Sequence, residues 1–127
     1  FKYIFIGSLI LFFIVLLWGI VVMFMSNIIF PSAYRGIELI SISLIVAYGF
    51  LGLYKLFVPI ALYYKKTGNL SKITTFIFLI NILLNFLLIP IYGIMGAAAA
   101  TVSSMVAQLL LTLILVKNAL QEQKLLN

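Results

Sequence analysis

The chain has 127 residues, of which 66% are hydrophobic and 8% are charged, and its mean hydropathy is +1.35. Soluble domains average about 45–50% apolar and about 25% charged residues, so the soluble globular class and intrinsic disorder are both excluded. The net charge of +6 comes from basic residues scattered between apolar runs. This distribution is typical of membrane topology signals, and we expect no nucleic-acid partner.

The residue types that are absent exclude several kinds of site. The sequence has no Cys and no His, so thiolate or imidazole metal sites, a Cys nucleophile and a Ser-His-Asp triad are excluded. Its two carboxylates are Glu38 and Glu122, which cannot form an acid–base pair at a buried site. We therefore expect no catalytic residue, no metal, no cofactor and no enzymatic activity.

Four segments, in chain order, are long and apolar enough to cross a membrane, which takes about 20 residues as a helix. They are residues 3–25, 36–63, 73–91 and 94–116. The apolar runs are continuous and not alternating, which predicts helices and not barrel strands. The predicted loops are residues 26–35, 64–72 and 92–93. The sequence therefore predicts an all-α, polytopic bundle of four transmembrane helices, in one membrane-embedded region over residues 1–127.

The basic residues predict which side of the membrane each end occupies. With four spans, the N-terminus, the loop 64–72 and the polar tail 117–127 share one side, and we expect the tail to be a frayed extension of the fourth helix. That side carries Lys2, Lys65, Lys66, Lys72, Lys117 and Lys124, whereas the other side carries Arg35. Because cytoplasmic loops carry an excess of Lys and Arg, both termini are predicted to be cytoplasmic.

One charged side chain lies inside a predicted span. Eight residues separate Lys55 from Tyr63, which is about 12 Å along a helix axis. Intramembrane charges usually face a cavity or a partner, so Lys55 is a candidate for binding an anionic substrate such as a phosphate. Alternatively, its alkyl chain extends toward the inner lipid phosphates, in which case its role is anchoring. Both interpretations remain open.

Two further groups of polar residues are candidate sites. Asn81, Asn85 and Gln108 lie within the third and fourth segments, where an unpaired amide in hydrocarbon is unfavourable by several kcal/mol. They are predicted to hydrogen-bond between helices, which we favour, or to bind a polar substrate. Arg35 and Glu38 are three residues apart at the outer start of the second segment. They form either an outer gate or, as we favour, an exposed ion pair that contributes about 0–1 kcal/mol.

Small residues repeat at four-residue spacing along the fourth segment. One row is Gly93, Ala97 and Thr101, and the other is Gly96, Ala100 and Ser104. Such rows allow helix backbones to approach closely, which is how helices associate in lipid. The rows predict that the fourth helix packs tightly on at least two neighbours.

The stretch 81–108 reads NILLNFLLIPIYGIMGAAAATVSSMVAQ. Its pattern N-x-x-x-N-x-x-x-x-P, followed by Y-G-I-x-G-A-A-x-A-T, resembles the C-terminal signature of polysaccharide flippases. These form the O-antigen and teichoic-type branch of the multidrug/oligosaccharidyl-lipid/polysaccharide exporter superfamily. The loop 64–72 is also similar to the short basic cytoplasmic loop of that family. The matching positions are Asn81, Asn85, Pro90, Tyr92, Gly93, Ile94, Gly96, Ala97, Ala98, Ala100 and Thr101.

The resemblance implies a transporter of twelve to fourteen spans in two bundles, which moves lipid-linked oligosaccharides across the cytoplasmic membrane by alternating access. The chain would then supply the last four helices of the second bundle, which fits a sequence that begins with Phe1 and not Met. The implied partners are membrane lipid, an undecaprenyl-pyrophosphate-type glycolipid and the missing N-terminal helices of the same transporter.

Two alternatives to the flippase remain. The first is a drug or cation antiporter of the same superfamily. Such antiporters often need an intramembrane carboxylate, for which Glu38 is the candidate in this sequence. The second is a small membrane scaffold that transports nothing.

Overall fold

The computed structural model of the chain describes residues 2–29 and 37–126. They form four helices, α1 (Lys2–Ile29), α2 (Ile37–Tyr63), α3 (Thr67–Tyr92) and α4 (Ile94–Leu126), and this part of the chain contains no strand. Each helix contains a segment long and apolar enough to cross a membrane. The predicted all-α, four-span fold is confirmed, and by length and composition the chain is a multi-pass membrane protein.

Three helices extend beyond the predicted spans. Helix α1 continues to Ile29, so the first four residues of the predicted loop 26–35 are helical. Helix α3 begins at Thr67, so the predicted loop 64–72 is reduced to residues 64–66. Helix α4 continues to Leu126, which confirms that the polar tail extends the fourth helix. Hydropathy marks only the apolar part of a helix, whereas the hydrogen-bonded backbone can continue into water. The extended first turn of α3 is also packed, because Leu70 is buried against Ala61 and Val116.

The turn between α2 and α3 is closed by backbone hydrogen bonds. Lys65 adopts a left-handed conformation with φ of 55°. Its N–H donates to the Leu62 carbonyl at 2.9 Å, and the N–H of Lys66 donates to the Ala61 carbonyl at 2.9 Å. These two bonds form a Schellman motif, which satisfies carbonyls that the end of a helix leaves without partners. The turn therefore reverses the chain within three residues.

The turn between α3 and α4 is a single residue. Gly93 has φ of 59° and ψ of −138°, and its N–H donates to the Ile89 carbonyl at 2.8 Å. An L-residue rarely adopts this conformation, because its Cβ would clash with the backbone. Glycine at position 93 is thus a requirement of the tight hairpin that joins α3 to α4.

Helix α4 is central to the packing. It contacts both α2 and α3 extensively, whereas α2 and α3 barely touch each other and α1 packs mainly on α2. At the contact between α1 and α2, Leu11 and Val15 of α1 lie against Gly52 and Gly49 of α2. A small apolar core, Ala61, Leu70 and Val116, joins α2, α3 and α4.

That core lies at the end of the bundle where α2 ends and α3 begins. The same end carries Lys65, Lys66, Lys72, Lys117 and Lys124, and it is called the basic end below.

Candidate functional site

Buried polar side chains lie along α4, near the middle of the bundle. In the described part of the chain, the buried polar residues are Ser104, Gln108 and Thr112, which are 1%, 7% and 0% exposed. They follow one another at four-residue spacing on α4, so they lie on adjacent turns of the helix. Together with the half-buried Asn81 and Asn85 of α3, they are called the polar seam.

Hydrogen bonds connect the two helices through Asn81. Its side-chain amide donates to Ser104 Oγ at 3.0 Å and lies 3.4 Å from the Ala100 carbonyl. The Ser104 hydroxyl in turn donates to the Ala100 carbonyl at 2.8 Å. The Asn81 amide and the Ser104 hydroxyl therefore each donate to a partner within the bundle. A bond of this kind between membrane helices contributes about 0.6–2 kcal/mol.

Asn85 is bound within its own helix. Its side-chain amide donates to the Asn81 side-chain oxygen at 3.0 Å and to the Asn81 backbone carbonyl at 2.9 Å. The Asn85 amide thereby orients the Asn81 side chain toward Ser104. Its own side-chain oxygen accepts no hydrogen bond from the described residues, so it is an available acceptor on the polar seam.

Two residues of the polar seam, Gln108 and Thr112, form no side-chain hydrogen bond with the described residues. Thr112 Oγ1 is fully buried and has no partner among the described residues, and none of these residues bonds to the Gln108 amide either. The Thr101 hydroxyl, by contrast, donates to the carbonyl of Ala97, four residues earlier, at 2.9 Å.

Thr112 was missed by the sequence analysis. The signal that could have found it is the row Gly96, Ala100, Ser104 and Gln108, which reaches Thr112 at the next four-residue step.

The two rows of small residues occupy different environments. Gly96, Ala100 and Ser104 are buried, whereas Ala97 and Thr101 are half-buried and Gly93 is exposed at the turn. A Cβ added to Gly96 would overlap the backbone carbonyl of Leu88 in α3. The row that begins at Gly96 therefore starts at a close approach of the α3 and α4 backbones.

Lys55 lies apart from the polar seam. Its side chain is exposed on α2, and no ion pair or hydrogen bond in the described part of the chain involves it. The structure therefore brings Asn81, Asn85 and Gln108 to one helix pair but not Lys55. In the four-helix bundle, the ammonium group of Lys55 faces outward.

The predicted outer gate falls outside the described residues. Arg35 is not among them, and the side chain of Glu38 is not described although its backbone belongs to the first turn of α2. The ion pair that the structure does describe is at the basic end, where Lys66 Nζ lies 2.6 Å from Glu122 Oε2. The two side chains are 25% and 61% exposed, so their attraction contributes about 0–1 kcal/mol.

No group of three His, Cys, Asp or Glu residues that could hold a metal ion occurs among the described residues.

Comparisons with protein-family models, with curated proteins and with solved structures find no match to this chain. The described residues form a multi-pass helical membrane protein in which α3 and α4 carry a partly unsatisfied polar seam.

Proposed function

We propose that the chain is part of a flippase that moves lipid-linked oligosaccharide or polysaccharide precursors across the cytoplasmic membrane by alternating access. It would supply the last four helices of such a transporter. The proposed substrate is an undecaprenyl-pyrophosphate-type glycolipid, and the protein performs no covalent chemistry. The proposal is supported by the resemblance of residues 81–108 to the polysaccharide flippase signature.

The observation that carries the proposal is the hairpin formed by those same residues. The Asn81 amide bonds to α4, Gly93 has a conformation that favours glycine, and Gly96 lies against the α3 backbone. Each of these motif residues has a physical requirement for its residue type. The proposal therefore rests on the order of these motif residues and not on apolar composition alone.

Within this proposal, Lys55 is the residue that attracts the substrate phosphate. Its side chain is exposed on α2 and has no acidic partner among the described residues. In the proposed transporter, the missing helices would surround this side of α2 and enclose a water-filled cavity. An attraction between an ammonium group and a phosphate is much stronger in such a site than in bulk water.

The test compares two substitutions at position 55 in the complete transporter. We expect Lys55→Arg to retain most of the transport and Lys55→Gln to lose it, because only the arginine keeps the positive charge. The measurement is complementation of a strain that lacks its own flippase, with expression of both variants matched to the wild type. Lys72→Gln is the control, since it removes a lysine that is also exposed but lies at the basic end.

Wild-type activity in the Lys55→Gln variant would show that Lys55 is only a membrane anchor. Loss of activity in the Lys72→Gln control would show instead that transport depends on the overall charge and not on this position.

The two alternative functions make different predictions. If an antiporter couples to cations through a carboxylate of this chain, Glu38 is the candidate, because Glu122 is paired with Lys66 at the basic end. Its transport should therefore stop in a Glu38→Gln variant, whereas the proposed flippase should continue to work. A scaffold protein should show no transport at all. Its gene should also lack the eight or more additional spans upstream that the flippase requires.

A further inference from the structure

A groove at the basic end combines an apolar wall with two ammonium groups. It lies between α2 and α4 and has a volume of about 380 Å³. Phe57, Val116 and Leu120 form its apolar wall, and Lys117 and Lys124 line it from α4. An apolar surface beside positive charge matches an amphipathic anion better than it matches a small soluble ion.

The charge of this groove is not neutralised within the described part of the chain. Glu122 lies on the same stretch of α4, but its carboxylate is bound to Lys66 at 2.6 Å. Neither Lys117 nor Lys124 forms an ion pair with a described residue, and both side chains are exposed. Two lysines two turns apart on one helix therefore present an uncompensated positive potential to whatever occupies the groove.

The hydropathy of α4 predicts that the groove lies at the level of the lipid headgroups. The apolar part of α4, residues 94–116, is about 35 Å long at 1.5 Å per residue, close to the hydrocarbon thickness of about 30 Å. Lys117 is the first charged residue after it. Side chains on a helix lean toward its N-terminus. The side chains of Lys117 and Lys124 therefore lean back toward the bilayer.

We propose that this groove binds an anionic phospholipid of the surrounding bilayer. The headgroup phosphate lies between Lys117 and Lys124, and one acyl chain follows the apolar wall of Phe57, Val116 and Leu120. Basic pockets between membrane helices bind the headgroups of anionic lipids through the same combination of charge and apolar contact. The site lies outside the polar seam, and the proposal does not depend on a flippase function.

The test measures lipid binding to the purified protein in detergent. Phosphatidylglycerol is titrated onto the protein, bound lipid is counted by mass spectrometry of the intact complex, and phosphatidylcholine serves as the uncharged comparison. We expect phosphatidylglycerol to bind more tightly than phosphatidylcholine to the wild type. The double substitution Lys117→Gln with Lys124→Gln should weaken phosphatidylglycerol binding by about thirtyfold, since each lysine near a bilayer surface contributes roughly a fivefold effect.

Two further double variants make the result specific. Substitution of Lys65 and Lys72 by Gln removes the same charge from the basic end but not from the groove, so binding should be unchanged. Substitution of Lys117 and Lys124 by Arg keeps the charge and should retain binding. Circular dichroism checks that each variant is folded, which we expect because these four side chains are exposed.

Three results would overturn the proposal. The first is equal binding of the two lipids to the wild type, and the second is equal loss in the Lys65 and Lys72 control. The third is displacement of bound phosphatidylglycerol by millimolar inorganic phosphate, which would mean that the groove recognises the phosphate without the acyl chain.

Discussion

At the scale of single residues, the unpartnered hydroxyl of Thr112 is the least expected feature of the bundle. A buried polar group without a hydrogen bond costs about 1–3 kcal/mol, and helical threonines usually avoid this by bonding to the carbonyl four residues earlier. Thr101 and Thr74 both do so, whereas Thr112 does not. Its hydroxyl is therefore a local source of instability in the four-helix bundle.

We expect Thr112→Val to raise the thermal unfolding midpoint of the purified protein in detergent, by an amount equivalent to about 1 kcal/mol. Valine has nearly the same shape as threonine and removes the unsatisfied hydroxyl, which is favourable when the site is apolar. Thr101→Val is the matched control and should have no stabilising effect, because its hydroxyl already has a partner. A lower midpoint for Thr112→Val would mean that the hydroxyl finds a partner in the membrane, such as water or another helix.

At the scale of elements, the hairpin of α3 and α4 is the best defined unit of the chain. Its turn requires glycine at position 93, its helices approach at Gly96, and its polar groups are paired by Asn81 and Ser104. These contacts lie along one face of α4 over successive turns. In lipid, where apolar burial does not drive association, close packing and interhelical hydrogen bonds hold such a pair together.

Gly96→Ala should destabilise this hairpin by about 1–3 kcal/mol, the usual effect of overpacking. The added methyl group would meet the Leu88 carbonyl, and backbone cannot rotate away as a flexible side chain can. The measurement is the midpoint of a denaturant titration monitored by helicity. In the control Gly68→Ala, the new methyl group meets nothing within 4 Å, so its midpoint should not fall. Equal midpoints for the two variants would contradict the close approach at Gly96.

At the scale of the whole molecule, the basic end and the hairpin turn lie at opposite ends of the four helices. The charge distribution predicts that the basic end is cytoplasmic. The order of contacts α1, α2, α4 and α3 along the bundle leaves large apolar side chains of α1 and α3 exposed. Those faces are available to lipid or to further helices of the proposed transporter.

The orientation can be measured with single cysteines, because the chain has no native Cys. We expect Tyr92→Cys, beside the turn between α3 and α4, to react with a membrane-impermeant thiol reagent in intact cells. Asn69→Cys, in the first turn of α3, should react only after the cells are permeabilised. Both side chains are exposed in the structure, so burial does not explain a difference between them. Labelling of Asn69→Cys but not Tyr92→Cys in intact cells would reverse the orientation.

The sequence by itself determined the number and class of the helices. A chain in lipid must satisfy its backbone hydrogen bonds locally, so a long apolar run can form only one kind of span, and hydropathy is enough to locate it. The tight turn at Gly93 was also predictable, because its conformation depends on neighbouring residues alone. The ends of the helices were harder to predict from the sequence. The first turn of α3, for example, is packed through Leu70, whose burial depends on Ala61 and Val116.

Only the tertiary structure decided which polar residues meet. Asn81 and Ser104 form a hydrogen bond because the orientations of α3 and α4 about their own axes bring these two side chains together. Lys66 and Glu122, which are 56 residues apart, form an ion pair because α4 continues beyond its apolar part. The same arrangement leaves Thr112 without a partner among the described residues. The orientation of α2 leaves Lys55 exposed and away from the polar seam. Rotation and tilt are set by the summed contacts of several helices, and no local pattern of residues specifies them.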